Sequence, residues 1–239
     1  MAFVFVAALR YIAKMGKTRV KICGITSAED ALLAAAAGAD ALGLIFHPPA
    51  ARCVSMPIAE QIVASFTPFV MPVGLFLDLP YSNIIAIAHR LRLRCIQLHG
   101  HETPADVRAL DAFSVIKAIH VKPGQLDDTL APWRKAVAAG LPNLKALVLE
   151  TGWGAAQGGT GIENDWQQIQ EVQQQGGFEN LPPIILAGGL QPSNVAEVIE
   201  KLRPYAVDVS SGVEETKGKK SPERLAEFMQ AVHRADRHQ

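Results

Sequence analysis

Lys21-Ile22-Cys23-Gly24-Ile25-Thr26 is the stretch of sequence that decides the fold of this chain. It continues an apolar run that begins at Arg19, and Gly24 provides a turn directly after Cys23. Ser27, with an acidic residue three positions later, then indicates the start of a helix. The stretch is therefore a short buried strand that leads at once into a helix, and it presents the Cys23 thiol at the carboxyl end of that strand.

The same strand and helix unit recurs along the whole chain. Short apolar runs bounded by turn residues predict eight strands, and helix-like segments of about ten to fourteen residues separate them, as in parallel βαβ units. The predicted strands cover residues 19–23, 41–46, 71–77, 94–98, 114–119, 145–150, 183–187 and 206–210. Eight units within 239 residues predict an α/β fold, a single-domain TIM (β/α)8 barrel.

The bulk composition does not indicate a protein that binds nucleic acid or membranes, or one built on disulfides or zinc. Lysine plus arginine equals aspartate plus glutamate at 23 each, so no overall field favours nucleic acid or an anionic membrane as a partner. The three cysteines, Cys23, Cys53 and Cys95, form neither a disulfide framework nor a zinc spacing. We therefore expect a cytoplasmic protein with no metal and no cofactor, and the sequence leaves a monomer and a homodimer both open.

Residues 1–17 are interpreted as an N-terminal extension, and residues 18–239 as the barrel domain. The apolar run at 2–9 lacks a preceding basic region and is far shorter than the ~20 residues that span a bilayer. Because the strand pattern starts near Thr18 and Met15 precedes it, the extension is predicted to be dispensable. A short docking helix and a weak signal segment remain as alternatives.

Reactive side chains and glycine turns gather at the predicted carboxyl ends of the strands, where a (β/α)8 barrel places its active site. Gly188-Gly189 follows strand 7 and Ser211-Gly212 follows strand 8. Backbone N–H groups in such turns bind phosphate without a basic side chain. The other residues at these ends are Cys23, Phe46-His47, Asp78, His99, Lys117 to His120 and Glu150.

Several motifs, taken together and in this order, resemble those of phosphoribosylanthranilate isomerase, a family of the tryptophan pathway. The resemblance runs from about Arg19 to Arg234. It is carried by Lys21 to Thr26, Gly38 to Gly43, Arg52-x-Val54, Val73 to Phe76, Gln97 to Gly100, Gly158 to Gly161, Leu186 to Leu190 and Val207 to Glu214. The resemblance implies a phosphorylated small-molecule substrate and an Amadori rearrangement of N-(5-phosphoribosyl)anthranilate to the 1-deoxyribulose 5-phosphate.

The resemblance also implies a role for individual residues. Cys23 matches the family's base, which removes the proton from C2, and a thiol serves in this way when its pKa falls toward the working pH. Arg52 matches the arginine that binds the anthranilate carboxylate, because a guanidinium offers two parallel donors. His99 either lines the pocket or braces its loop. The residues implied in phosphate binding are Gly159, Gly161, Gly188, Gly189, Ser211 and Gly212.

Glu150 is the main departure from the family pattern, because the family has an aspartate as general acid at the end of strand 6. The longer side chain moves the carboxyl group outward, and a misplacement of about 1 Å can cost roughly 100-fold in rate. Two interpretations follow: Glu150 is a working acid, or the chain is an impaired or non-catalytic phosphate-binding barrel. A related barrel, the ProFAR isomerase of the histidine pathway, has an aspartate where this chain has Cys23, which argues against that family.

The alternation of side chains along a strand predicts one interior contact. Lys21 and Asp208 each lie two residues before a residue at the mouth, so they point the same way as Cys23 and Ser210. Strands 1 and 8 are neighbours in a closed barrel, and an isolated buried charge is costly. We therefore predict a Lys21–Asp208 ion pair that supports Cys23 from beneath.

Overall fold

Eight parallel strands close into a barrel in the order in which they occur along the chain, β1 to β8. The computed structural model describes residues 17–151 and 166–237. The strands are β1 Arg19–Cys23, β2 Ala41–Ile45, β3 Met71–Phe76, β4 Cys95–Leu98, β5 Ser114–Val121, β6 Leu144–Thr151, β7 Ile184–Ala187 and β8 Ala206–Val209. The predicted fold is confirmed, and the predicted strand bounds differ from these by at most two residues.

Helices alternate with the strands along the described part of the chain. They are α1 Ala28–Ala37, α2 Met56–Ala64, α3 Tyr81–Arg90, α4 Pro104–Arg108, α5 Leu126–Ala138, α6 Trp166–Gln174, α7 Val195–Leu202 and α8 Pro222–Asp236. The predicted start of α1 is confirmed, because the Ser27 side chain accepts a hydrogen bond of 3.0 Å from the backbone N–H of Asp30. Among the described helices, none has the length and apolar composition that crossing a membrane requires.

Apolar side chains pack on both faces of the barrel. The larger layer lies between strands and helices and includes Ile22, Leu42, Leu98 and Leu149. The smaller layer fills the barrel with residues such as Ala41, Val73, Cys95, Val148 and Ala206. Burial on both faces explains why the strands are rich in aliphatic residues without a strict alternation.

The segment after β8 folds back against the first strand. It contains a 3-10 helix at Ser211–Val213 and a short antiparallel pair, β9 Glu214–Thr216 with β10 Lys219–Lys220, before α8. The chain thus returns polar groups to the carboxyl end of β1. Residues 1–16, and Gly159 and Gly161 of the predicted phosphate site, lie outside the described residues.

Candidate active site

Cys23 ends β1 at the mouth of the barrel, where its side chain is buried. The following residue, Gly24, has a φ of +72°, a left-handed conformation that glycine adopts without strain and that turns the chain sharply away from the strand. In the neighbouring strand, Gly43 pairs in register with Cys23. A Cβ atom at Gly43 would lie 2.9 Å from the Cys23 sulfur and 3.2 Å from Lys21 Nζ, so the missing side chain makes room for both groups.

The predicted ion pair beneath Cys23 is confirmed. Lys21 Nζ lies 2.7 Å from Asp208 Oδ2, both side chains are buried, and the two residues are paired in register across the closure of β1 with β8. Burial disfavours the charge of Lys21, but the Asp208 carboxylate outweighs this and raises the pKa of Lys21 above its ordinary value. The interior of the barrel therefore holds a permanent ammonium group directly below the thiol.

The environment of Cys23 favours the protonated thiol in the protein without substrate. Burial raises the pKa of Cys23, and the nearby Asp208 carboxylate adds to that rise. The positive charges of Lys21 and Lys220 oppose the rise without reversing it. The lowered thiol pKa that the sequence-based assignment requires is therefore not present in the unliganded protein, because burial outweighs the effect of Lys21.

Glu150 lies near the carboxyl end of β6, half-buried, in direct contact with His99. His99 Nε2 is 2.7 Å from Glu150 Oε2, and His99 Nδ1 is 2.9 Å from the side-chain nitrogen of buried Gln97. With the Gln97 amide donating to Nδ1, the remaining ring proton of His99 is on Nε2 and is donated to Glu150. This contact gives His99 a function that neither predicted role included: it orients the Glu150 carboxylate.

A second histidine, His120, approaches the same carboxylate from β5. His120 Nδ1 is 3.8 Å from Glu150 Oε2, and His120 and Glu150 are partners in the β5–β6 register. Burial raises the pKa of Glu150, but the hydrogen bond from His99 and the electrostatic influence of His99, His120 and Lys21 bring it below its ordinary value. Glu150 is therefore ionised at neutral pH before substrate binds.

Arg52 lies at the mouth beside the turn after β1, where a Cβ atom at Gly24 would be 2.5 Å from Arg52 Cδ. Its guanidinium makes two hydrogen bonds to Glu214, from Nε to Oε1 at 2.7 Å and from Nη2 to Oε2 at 2.6 Å. Glu214 also accepts from buried Lys220 at 2.9 Å. Glu214 thus occupies the Nε–Nη2 edge of the Arg52 guanidinium, and the edge formed by Nη1 and Nη2 is not used by this carboxylate.

The two glycine loops predicted to bind phosphate lie side by side after β7 and β8. Gly188 and Gly189 have φ values of +91° and +65°, and Asn194 donates to the carbonyl of Gly189 at 2.9 Å. A Cβ atom at Gly212 would clash with the carbonyl oxygen of Leu190, so the loops are packed backbone against backbone. Ser211 begins the 3-10 helix between them and the β9–β10 pair.

Lys220 is the functional-site residue that the sequence reasoning missed most clearly. Its ammonium group is fully buried and donates to the carbonyls of Cys23 at 2.7 Å and Ser210 at 3.1 Å, as well as to Glu214. In the sequence it belongs to a lysine-rich turn, Lys217-Gly218-Lys219-Lys220, which is typical of a solvent-exposed hairpin. Nothing in that local pattern predicts burial, so only the tertiary contact identifies it.

The whole chain can be compared with known proteins once this geometry is established. The family model of N-(5'-phosphoribosyl)anthranilate (PRA) isomerase matches residues 20–231, which span all eight strands of the barrel. The chain belongs to the N-(5'-phosphoribosyl)anthranilate isomerase family. An N-(5'-phosphoribosyl)anthranilate isomerase of Pseudomonas fluorescens is 43% identical over 222 residues, which cover 93% of this chain and 99% of that protein.

Solved structures of PRA isomerases have the same fold. The phosphoribosyl anthranilate isomerase of Thermotoga maritima is 34% identical, with a TM-score of 0.78 over 90% of this chain and 98% of that one. A PRA isomerase in complex with reduced 1-(o-carboxyphenylamino)-1-deoxyribulose 5-phosphate is 33% identical, with a TM-score of 0.75 and the same coverage. None of these findings favours the interpretation as a non-catalytic barrel.

Proposed function

We propose that this PRA isomerase converts N-(5-phosphoribosyl)anthranilate to 1-(2-carboxyphenylamino)-1-deoxyribulose 5-phosphate with Cys23 as the base and Glu150 as the acid. The family membership makes the chain an isomerase of tryptophan biosynthesis. The observation that carries the residue assignment is that Cys23 ends β1, Glu150 lies next to the end of β6 at the same rim of the barrel, and both groups lie in the electrostatic field of Lys21. A thiol and a carboxyl group then address one substrate from two sides.

The proposed reaction has two proton transfers. Glu150 protonates the ribose ring oxygen as the bond from that oxygen to C1 breaks, which leaves a Schiff base at C1. The Cys23 thiolate removes the proton from C2, and the resulting enolamine tautomerises to the 2-ketone. General acid and general base catalysis each contribute about 10²- to 10⁴-fold, so loss of either group should be severe.

The charge of the substrate supports the use of Glu150 as an acid. Anthranilate and phosphate both bring negative charge into the mouth, and negative charge near a carboxyl group raises its pKa. The low pKa of Glu150 in the unliganded protein is therefore shifted toward protonation when substrate binds. Arg52 would bind the anthranilate carboxylate with the guanidinium edge that Glu214 leaves free, and the loops at Gly188-Gly189 and Ser211-Gly212 would bind the phosphate.

Substitutions at Glu150 test the proposal. The Glu150→Gln variant keeps the size of the side chain but has no acidic proton to donate, so kcat should fall by about 10²- to 10⁴-fold. The Glu150→Asp variant should retain turnover within about one order of magnitude or exceed it, because it restores the carboxyl group of the family pattern. Exposed Glu197→Gln, which removes a carboxylate from the surface of α7, is the matched control and should leave kcat unchanged.

Two results would contradict the proposal. If the unmodified protein binds the reduced product analogue but shows no turnover in any variant, the barrel is non-catalytic. If Glu150→Gln keeps full kcat, another group is the acid. Complementation of a tryptophan auxotroph, by the unmodified chain and by Glu150→Gln, extends the same comparison to the cell.

We further propose a cytoplasmic location, since the substrate is a phosphorylated intermediate and the buried Cys23 and Cys95 are free thiols suited to a reducing compartment. The expectation of a monomer or a homodimer stays a prediction. Light scattering during size-exclusion chromatography distinguishes the two states.

A further inference from the structure

Two imidazoles and one carboxylate converge at the mouth from three successive strands. His99 follows β4, His120 lies in β5 and Glu150 lies in β6. One potential metal ligand atom of each residue lies within 4.8 Å of those of the other two. We propose that His99, His120 and Glu150 form a binding site for a divalent transition metal, with Zn²⁺ as the preferred ion, and that its occupation inhibits the enzyme.

The distances fit a small tetrahedral ion. Zn²⁺ binds imidazole nitrogen and carboxylate oxygen at about 2.0–2.2 Å, which places tetrahedral ligand atoms about 3.4 Å apart. The observed separations from Glu150 Oε2 are 2.7 Å to His99 Nε2 and 3.8 Å to His120 Nδ1, one shorter and one longer than this value. The ion would replace the proton between His99 and Glu150, and the three ligand atoms, which lie within 4.8 Å of one another, would draw together around it.

A hydrogen bond holds the His120 ring in an orientation suited to metal binding. Its Nε2 is 3.0 Å from the carbonyl oxygen of His99, which can only accept, so the ring proton is on Nε2. The lone pair of Nδ1 is then directed to the side of Glu150. Metal-binding histidines commonly donate their other ring N–H to a carbonyl in this way.

His99 has a matching partner behind it. When Nε2 binds a metal, the ring proton moves to Nδ1, which needs an acceptor. Gln97 faces Nδ1 from the barrel interior, and its buried Oε1 has no hydrogen-bond partner among the described residues. A half-turn of the Gln97 amide would supply that oxygen to His99 and satisfy both groups. In each imidazole, the ring nitrogen that does not bind the metal would then donate its proton to an oxygen acceptor.

The inhibition, unlike the binding, rests on the proposed function. A metal on Glu150 removes the carboxyl group from proton transfer and holds it away from the ribose ring oxygen. Zn²⁺ should therefore lower kcat, and a chelator should restore the activity. The three ligands carry one negative charge in total, so the site would keep a net positive charge with Zn²⁺ bound.

Binding is tested with the metals alone. Titration of the full-length protein with Zn²⁺ in a calorimeter, and with Co²⁺ followed by its visible bands, should show one site per chain at which Zn²⁺ displaces Co²⁺. The His120→Gln variant should weaken Zn²⁺ binding by about tenfold or more, since loss of even an outer partner costs 10- to 100-fold. The matched control His101→Gln alters an exposed histidine paired with Asp78 and should bind Zn²⁺ unchanged.

Other variants separate this site from the thiol and from the proposed mechanism. Cys23→Ser should be inactive yet bind Zn²⁺ as the unmodified protein does. Absence of binding, equal binding by His120→Gln, or binding that is lost in Cys23→Ser would overturn the metal site. Binding that depends on His120 but leaves the rate unchanged would overturn the inhibition together with the acid role of Glu150, while the metal site would stand.

Discussion

At the scale of single residues, the two proposed catalytic groups hold one proton between them. Burial raises the pKa of Cys23, while His99, His120 and Lys21 keep the pKa of Glu150 low despite burial. In the unliganded protein the proton therefore resides on sulfur. The reactive form, with a thiolate and a protonated carboxyl group, contains the same number of protons. The pH profile of kcat/KM should accordingly be a broad plateau, bounded by Glu150 on the acid side and by Cys23 on the alkaline side.

Lys21 provides a test at this scale. Its positive charge favours the thiolate, so the Lys21→Met variant should raise the pKa of Cys23 and move the alkaline limb of kcat/KM to higher pH. Lys201→Met, which removes an exposed lysine paired with Glu197, should leave both limbs in place. A melting curve confirms that the variant folds without the partner of Asp208. An alkaline limb that stays or moves to lower pH would show that Lys21 does not support the thiolate.

At the scale of secondary structure elements, two glycines in adjacent strands serve opposite faces of the barrel. Gly43 in β2 lies under the mouth, where an added Cβ would meet Cys23 and Lys21. Gly74 in β3 faces the helix layer, where an added Cβ would lie 2.7 Å from Leu93 and 2.9 Å from the Phe76 ring. The absence of a side chain at Gly43 leaves space for Cys23 and Lys21, and its absence at Gly74 leaves space for the packing of Leu93 and Phe76.

The two alanine variants should therefore differ in kind. Gly43→Ala should displace the Cys23 sulfur, and because a shift of about 1 Å can cost roughly 100-fold, kcat should fall sharply in protein that remains folded. Gly74→Ala should cost about 1–3 kcal/mol of unfolding free energy through overpacking, with kcat per folded molecule retained. Urea unfolding and steady-state kinetics on both variants measure the contrast. Equal kcat values for the two would contradict this division between the faces.

At the scale of the whole molecule, the last segment of the chain secures the first strand. Thr18, just before β1, donates hydrogen bonds to the Asp236 carboxylate at the end of α8. Its backbone N–H and its hydroxyl both take part, and the hydroxyl lies 2.6 Å from Asp236 Oδ1. Lys220 secures the other end of β1 through the carbonyl of Cys23. Together with the Lys21–Asp208 pair, these contacts hold the seam at which the barrel closes.

This arrangement predicts which end of the chain matters for stability. Deletion of residues 1–14, so that the chain starts at Met15, should leave Tm and kcat unchanged, because the seam contacts among the described residues involve Thr18 and later positions. Asp236→Ala should lower Tm by roughly 3–8 °C, since it removes hydrogen bonds to a charged group worth about 1.5–2 kcal/mol. Scanning calorimetry of both variants provides the measurement. A large loss of stability in the deletion variant would contradict the prediction that the extension is dispensable.

Local sequence patterns are sufficient to predict the barrel, the position of the site at its mouth and the Lys21–Asp208 ion pair. Apolar runs and turn residues are local features, so the eight strands and the cap at Ser27 follow from short windows of sequence. Side-chain alternation has a fixed period of two, so the sequence is sufficient to predict the pairing of Lys21 with Asp208. The motifs around Cys23 and Ser211-Gly212 are also short stretches of sequence, so the family resemblance follows from the sequence as well.

The tertiary structure alone decided how the polar side chains at the mouth are partnered. Strand β5 extends beyond its predicted end at residue 119 to Val121, and this extension brings His120 into register with Glu150. Glu214 lies 162 positions from Arg52 in sequence, and it meets Arg52 and Lys220 only because the segment after β8 folds back. Such contacts depend on loop paths and on the competition between burial and charge, which no short pattern of residues encodes.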